Sequence, residues 1–222
     1  MAKGRKAAAE TRDDCAACLA ASLPADRDGL LAVAADAVTA LNAAILAADD
    51  GAAELAAERY DAAVWKLNGG TFFANRDITK SDAGGTLVEA HCRAEPGIAP
   101  MWGQSGEFLV TVSGISAVVE IGDGFGRFMV SMEFHVVDPQ MPFISATGYR
   151  SHFEKYRGGQ TLEQAAITVF AAYLAKERRP LSAEHCRRRA LVPARAWLAE
   201  LPQPRAVELV FEEAGGQMAF GF

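Results

Sequence analysis

The alanine-rich first third of the chain is the feature that most constrains the fold. Residues 7–67 consist mainly of alanine and other strong helix formers. The clearest breaks fall near Pro24 and at Asp49-Asp50-Gly51. We therefore predict three helices, which end before Pro24, at about Ala48 and at about Leu67. Asp26 or Asp28 can cap the second helix. Asn68-Gly69-Gly70, residues that tolerate positive φ, are predicted to stop the third. Because alanine side chains let helix axes approach closely, we expect these helices to form a tight antiparallel bundle or hairpin.

The hydrophobic period changes in the middle of the chain. Apolar and polar residues alternate over residues 108–112, and two further strand-like runs cover 115–121 and 127–137. Glycine breaks the pattern at Gly114 and again within Gly122–Gly126. These short runs, separated by tight turns, predict a three-stranded antiparallel meander.

The last third returns to helical signals. Thr161 and Gln164 form a capping-box pattern at the start of a helix predicted over 162–177. Ser182 and Pro193 are predicted to begin two shorter helices. Residues 207–220 alternate and contain a Gly-Gly pair, which indicates a candidate final hairpin.

Together these elements predict an α+β protein. It has N-terminal alanine-rich helices, a central three-stranded antiparallel meander, C-terminal helices and the candidate hairpin. Residues 71–85 and 138–159 are predicted as loops, with a short helix at 86–94. The length of 222 residues fits a single domain, 1–222, with a subdivision into a helical part (1–68) and a mixed part (69–222).

Charge is unevenly distributed along the chain. The net charge is −6, which argues against a dedicated DNA-binding protein because such domains are usually strongly basic. Residues 10–61 carry eleven acids and three bases, whereas residues 149–195 carry ten bases and four acids. This asymmetry predicts an oriented surface, or two halves that attract each other.

The sequence favours a cytoplasmic protein. The basic residues 1–6 are followed by polar sequence and not by the apolar core of a signal peptide. The most apolar helical stretch, 29–48, contains Asp36 and Asn42 and is dominated by alanine, so we interpret it as a soluble helix and predict no membrane partner. Cysteines in that compartment are expected to be reduced thiols.

The cysteines and histidines do not form a convincing metal motif. Cys15 and Cys18 have zinc-like spacing, and Cys92 and Cys186 each follow a histidine. A zinc knuckle usually has a second close pair on a turn, however, and Cys15 and Cys18 lie in helical sequence. We therefore predict no metal and no other cofactor.

No catalytic motif stands out. His135 lies in a strand-like run with Asp138 near its end, so the two could act as an acid–base pair. No nucleophile signature accompanies them. We predict a protein that is not an enzyme, and keep an enzyme that uses His135 and Asp138 as an alternative.

The basic residues of the last third have two interpretations. On solvated helix faces they would complement helix dipoles, and as a cluster they would contact phosphate. The candidate nucleic-acid residues are Lys176, Arg178, Arg179, Arg187, Arg188 and Arg189.

Aromatic and polar residues concentrate in three predicted loop regions. Such composition is typical of interfaces, but the same aromatics could fold back over the sheet as core. The candidate partner-binding residues are Trp65, Asn68, Phe73, Trp102, Gln104, Phe143, Tyr149, Arg150 and His152. Among them Trp102, Tyr149 and Arg150 are the strongest candidates for an interface hot spot.

Two of these segments resemble proteins of mobile genetic elements. The stretch Tyr60–Ala74, with Asn68-Gly69-Gly70 between aromatic residues, resembles the plasmid antirestriction proteins of the ArdB/KlcA type. The phrase Pro142–Arg150 resembles accessory proteins of plasmids and integrative elements. The resemblance implies a mobile-element context, and with it a role in counter-defence.

These observations lead to a leading hypothesis and two alternatives. The first hypothesis is a counter-defence protein that binds a host defence complex, either a restriction enzyme or a CRISPR effector. An acidic surface can dock where such a machine holds nucleic acid. The alternatives are a plasmid-maintenance protein that binds nucleic acid through the arginine-rich C-terminal helices, and the enzyme that uses His135. The sequence does not indicate an oligomeric state.

Overall fold

Three helices form the first part of the chain, as the alanine-rich sequence predicts. They are α1 (Arg12–Ala20), α2 (Arg27–Leu46) and α3 (Asp50–Leu67). Our structure is a computed structural model, and it describes residues 11–77, 79–123, 128–191 and 195–200.

Short polar residues begin these helices. The carboxylate of Asp26 accepts a hydrogen bond from the backbone of Gly29 at 2.8 Å, and that of Asp49 accepts one from Ala52 at 2.9 Å. Each bond satisfies a backbone N–H that has no partner inside the helix. The predicted helix starts follow from this local chemistry.

Helices α2 and α3 form the predicted tight hairpin. The alanines Ala34, Ala62 and Ala63 are fully buried, so small side chains lie where the helices meet. Helix α2 is long and apolar enough to cross a membrane by length and composition, and 44% of its most apolar window is buried inside the protein. The buried core helix of a globular protein has the same properties.

A glycine turn connects α3 to α4 (Gly84–Cys92). Gly69 and Gly70 have φ values of +73° and +86°, which confirms the predicted left-handed turn. The side-chain amide of Asn68 donates to the carbonyl of Thr71 at 2.7 Å, and its oxygen accepts from the backbone of Gly84 at 3.1 Å. Asn68 therefore ties the end of α3 to the start of α4.

Substitution of this glycine pair by valine is expected to destabilise the fold. A β-branched residue at positive φ costs about 1 kcal/mol or more. Gly70→Val should cost more than Gly69→Val, because a side chain there meets the Trp65 ring at 3.4 Å while Gly69 has open space. The matched control is Gly51→Ala, inside α3. Denaturant unfolding measures the free energy of unfolding of each variant. If both valine variants were as stable as the wild type, this account would be contradicted.

Four strands form one antiparallel sheet in the order β1-β2-β3-β4. They are β1 (Gly106–Val112), β2 (Ile115–Asp123), β3 (Met129–Val136) and β4 (Tyr149–Lys155). The meander is confirmed, but the prediction of a loop over 138–159 is wrong because it contains β4. This edge strand alternates between exposed and half-buried residues and lacks the apolar alternation that reveals a strand.

Three helices follow the sheet within the described residues. They are α5 (Leu162–Lys176), α6 (Ala183–Ala190) and α7 (Ala196–Glu200). The predicted capping box of Thr161 and Gln164 is present. Phe170 of α5 stacks on Phe134 of β3 with ring centroids 5.6 Å apart. The predicted hairpin at 207–220 lies outside the described residues.

The sheet has a helical end and a basic end. At the helical end, Gly159 after β4 donates to the carbonyl of Ile45 in α2 at 3.0 Å. At the opposite end, where β4 begins, Ser182 before α6 donates to the carbonyl of Ala146 at 3.0 Å. The acidic helices and the arginine-rich helix therefore lie at opposite ends of the strands.

Candidate nucleic-acid interface

The first three helices present an acidic surface. Asp28, Asp36, Asp50 and Glu54 are exposed, and this part of the chain contains few bases. Such a surface repels phosphate. A nucleic-acid contact within the helical part must therefore use another face.

Helix α4 and the connection before it are different. Residues 62–93 contain four bases and three acids. Lys80, His91 and Arg93 are exposed, as are the acidic residues Asp82 and Glu95 beside them. We call Lys80, His91 and Arg93 the α4 surface, and the segment that carries it is closer to neutral than α1–α3.

Close backbone contacts hold α4 in place. A Cβ atom on Gly84 would lie 2.8 Å from the backbone of α3, and one on Gly85 would lie 2.7 Å from the carbonyl of Asn75. Val88 and Cys92 face the core, and burial raises the pKa of the Cys92 thiol. Ala90, on the opposite face of α4, and His91, beside the buried pair, are exposed.

The six basic residues that sequence analysis predicted as nucleic-acid contacts lie together at the basic end of the sheet. Five are exposed, and Arg189 is half-buried. Two already have acidic partners: Arg179 pairs with Glu177, and Arg188 with Glu184. Exposed pairs of this kind are weak, so they do not prevent these arginines from contacting an anion.

Two of the predicted partner-binding aromatics belong to the core. Trp102 and Phe143 are fully buried. The indole of Trp102 donates to the carbonyl of Gln160 at 2.7 Å, and the Phe143 ring lies 5.8 Å from that of Phe170. The expectation that they point outward is therefore corrected: in these loops the aromatics cover the sheet.

Four more of these residues have structural partners. The Gln104 amide donates to the carbonyl of Cys92 at 2.9 Å. The guanidinium of Arg150 lies 4.0 Å above the Tyr173 ring, and His152 bonds to the Tyr173 hydroxyl at 2.9 Å. Near the helical end, the Trp65 indole donates to Asp13 at 2.9 Å. Phe73 and Tyr149 remain exposed.

His135 does not pair with Asp138. Its Nε2 lies 3.8 Å from Glu120 and 3.7 Å from Glu133, while the Asp138 carboxylate accepts from the backbone of Gln140. The side chains of Glu120, Glu133 and His135 lie close enough to share a metal ion. Arg195, 3.5 Å from Glu120, brings positive charge to the same group. The arrangement does not support the predicted acid–base pair.

Burial lowers the pKa of His135 below its usual 6.5, and Arg195 and Arg189 lower it further. As the pH falls, the unfolded chain therefore binds a proton at this histidine more readily than the folded chain does. The free energy of unfolding should therefore decrease between about pH 7.5 and about pH 5.5. His135→Gln should weaken this decrease, whereas His91→Gln, at an exposed position, should not. Denaturant unfolding at both pH values measures this decrease. A decrease in His135→Gln as large as in the wild type would contradict the account.

The cysteines are dispersed. Cys15 and Cys18 lie on α1, and Cys92 and Cys186 lie on other helices. The Cys186 thiol lies 3.5 Å from the carbonyl of Pro139. Within the described ranges, no group of three or more metal-ligating side chains includes a cysteine.

The fold and its surfaces define an α+β protein in which a helical unit with one weakly basic face precedes a sheet with a basic end. Two family models match these units. The model described as the KlcB N-terminal DNA-binding domain matches residues 15–91, which contain most of α1, all of α2 and α3, and α4 except Cys92. The model described as the KlcB third domain matches residues 105–197. The two matches together cover most of the chain, which is therefore similar to the KlcB proteins, a plasmid-associated family.

Two relatives from Escherichia coli, both named Protein KlcB, show the same similarity. One is 51% identical over 215 residues, which cover 95% of this chain and 46% of the relative. The other is 46% identical over 210 residues, which cover 92% of this chain and 52% of the relative. The chain thus spans about half the length of these curated relatives. No solved structure matches it.

The family agrees with the predicted plasmid-accessory context, whereas a relationship to the ArdB/KlcA type is not shown. The net charge does not reveal the α4 surface, because it averages the acidic residues 10–61 with a near-neutral segment that follows them. A local charge count over 62–93 was the signal that marks this surface.

Proposed function

We propose that this chain is a non-enzymatic plasmid accessory protein that binds duplex DNA through the α4 surface. The observation that carries the proposal is the match of residues 15–91 to a domain described as DNA-binding. Within the matched part of the chain, charge favours the α4 surface as the DNA contact, because α1–α3 present exposed carboxylates and the α4 surface presents cations.

The geometry of α4 suits a role in DNA recognition. An α-helix fits the major groove of B-DNA, and recognition helices present side chains from one face while the other packs on the domain. In α4, Val88 and Cys92 are buried and Ala90 and His91 are exposed. Lys80 and Arg93, which flank the helix, supply phosphate contacts at either side.

Hydrogen exchange of the full chain tests this proposal. On addition of a short duplex at low salt, we expect slower exchange in peptides covering residues 76–93. Protection confined to other segments, or none, would contradict the role of α4. The backbone amides of α2, which form the core of the helical part, serve as an internal control.

A second candidate function is counter-defence, the inhibition of a host restriction or CRISPR machine by protein binding. The exposed carboxylates of α1–α3 and the 85% exposed side chain of Phe73 favour it. An acidic surface of this kind competes for the basic channel of a nucleic-acid-handling enzyme. In the same exchange experiment, protection of α1–α3 by a purified defence protein, with no protection by DNA, would favour this function.

A further inference from the structure

A cavity of about 390 Å³ lies at the basic end of the sheet, between the start of β4 and α6. Its lining residues are Thr147, Tyr149, His185, Arg188 and Arg189. These residues offer hydroxyl, imidazole and guanidinium groups, and the lining includes no carboxylate. The DNA-binding domain match ends at residue 91, so it does not include this cavity.

We propose that this cavity is a phosphate-binding site. Guanidinium groups present several N–H donors in a fixed planar arrangement that matches phosphate oxygens. The Tyr149 hydroxyl and a ring N–H can complete a set of donors around a tetrahedral anion. The site does not depend on the α4 surface, which lies toward the other end of the strands.

The wall formed by residues 145–149 is rigid. The hydroxyls of Ser145 and Thr147 both bond to the backbone of Tyr149, at 2.8 and 3.1 Å from its carbonyl oxygen. Gly148 has φ +69°, and a Cβ there would lie 2.7 Å from Val136 and 3.5 Å from the Nε of Arg189. Glycine at this position therefore lets the turn approach α6 closely.

The opposite wall orients a donor. The Ser182 hydroxyl lies 2.7 Å from Nδ1 of His185 and also accepts from the backbone of His185. Whichever atom is the donor, this bond fixes the orientation of the imidazole ring. In the tautomer whose Nδ1 accepts the hydroxyl proton, the ring carries its own proton on Nε2, from which it can be donated to an anion.

The surroundings attract anions. Lys176, Arg178, Arg179 and Arg187 are exposed around the cavity's end of the sheet, and their combined field raises the local concentration of anions. The competing acid is Glu184, which pairs with Arg188 at 2.5 Å. Both side chains of that pair are more than half exposed, so a phosphate can replace the carboxylate at little cost.

The test is an NMR titration of the full chain that follows the arginine Nε–Hε and histidine signals. The probes are inorganic phosphate, a short DNA duplex, and chloride at matched ionic strength. We expect Arg188, Arg189 and His185 signals to shift with phosphate and with duplex but not with chloride. Shifts with phosphate alone would assign the site to a free phosphorylated ligand, and tighter binding of duplex would assign it to the nucleic-acid backbone. Equal shifts with chloride would overturn the proposal.

Matched variants distinguish binding in the cavity from attraction by the general positive charge at this end of the sheet. Arg188→Gln/Arg189→Gln should weaken binding of inorganic phosphate at least about tenfold. Arg178→Gln/Arg179→Gln removes the same charge from residues that do not line the cavity, and should weaken it less than about threefold. Equal losses would show diffuse electrostatic attraction and overturn the proposal. Denaturant unfolding of each variant checks that a loss of binding does not come from loss of the fold. Loss of DNA binding through the α4 surface would leave the phosphate shifts unchanged, so the two proposals fail independently.

Discussion

Replacement of Trp102 by alanine is expected to destabilise the protein by about 3–5 kcal/mol, the range for removal of a large aromatic from a core. The side chain is fully buried, its ring lies 5.0 Å from that of Tyr156, and its indole bonds to Gln160. The variant loses all three contributions and leaves a cavity between the helices and the sheet. Since domains of this size have total stabilities of about 5–15 kcal/mol, much of the fold's stability depends on this residue.

Denaturant unfolding measures this effect, with Phe73→Ala as the matched control. Phe73 is 85% exposed, so its removal should change the free energy of unfolding by less than about 0.5 kcal/mol. A Trp102→Ala variant with near wild-type stability would show that the indole is not part of the core. Trp102 would then again be a candidate for the predicted interface.

The second large effect concerns DNA affinity. Neutralisation of Lys80 and Arg93 together by Lys80→Gln/Arg93→Gln should weaken duplex binding by about 100-fold, because a hydrogen bond to a charged group contributes about 1.5 kcal/mol or more. Both side chains are exposed, so the fold should be retained. Fluorescence anisotropy with a labelled duplex measures the dissociation constants.

The control for this prediction is Arg27→Gln/Arg59→Gln, which removes the same charge from the acidic helices. Both arginines are exposed, so stability is again unaffected. We expect this control to change the dissociation constant by less than about threefold, because its residues lie among carboxylates that repel phosphate. If the control lost as much affinity as Lys80→Gln/Arg93→Gln, overall charge and not the α4 surface would determine binding.

The parts of the fold that depend on local chemistry could be predicted from the sequence. Helix starts follow from side-chain caps such as Asp26 and Thr161, and the end of α3 follows from glycines that adopt positive φ. The strand β4 was missed because an edge strand gains its pairing from a neighbour. Here the backbone ladder to β3 and the Arg150–Tyr173 contact hold a polar segment in the sheet.

The candidate site was harder to predict for two physical reasons. Composition does not distinguish an aromatic loop that forms an interface from one that folds back over a sheet, and for Trp102 and Phe143 tertiary packing decided in favour of the core. Net charge, in addition, averages over surfaces that face different directions. The acidic helices therefore concealed the cations of the α4 surface.

At the basic end of the sheet, the sequence indicates the charged residues but not the cavity beside them. Six bases, spread over Lys176 to Arg189, lie on the end of α5, on α6 and on the connection between them, so their proximity in sequence indicates a common patch. The sequence did not reveal the cavity beside them, because Thr147 and Tyr149 come from a turn nearly 40 residues earlier in the chain. The antiparallel pairing of β3 with β4 determines where that turn lies.

The salt dependence of duplex binding tests the central claim most directly. The dissociation constant of the full chain is measured over a series of KCl concentrations and compared with that of Lys80→Gln/Arg93→Gln. We predict that the logarithm of the wild-type affinity falls linearly with the logarithm of the salt concentration. The variant slope should be shallower by about 1.8, because each lost phosphate contact removes about 0.9 from it. Absence of duplex binding at low salt, or identical slopes for the two proteins, would contradict DNA binding through the α4 surface.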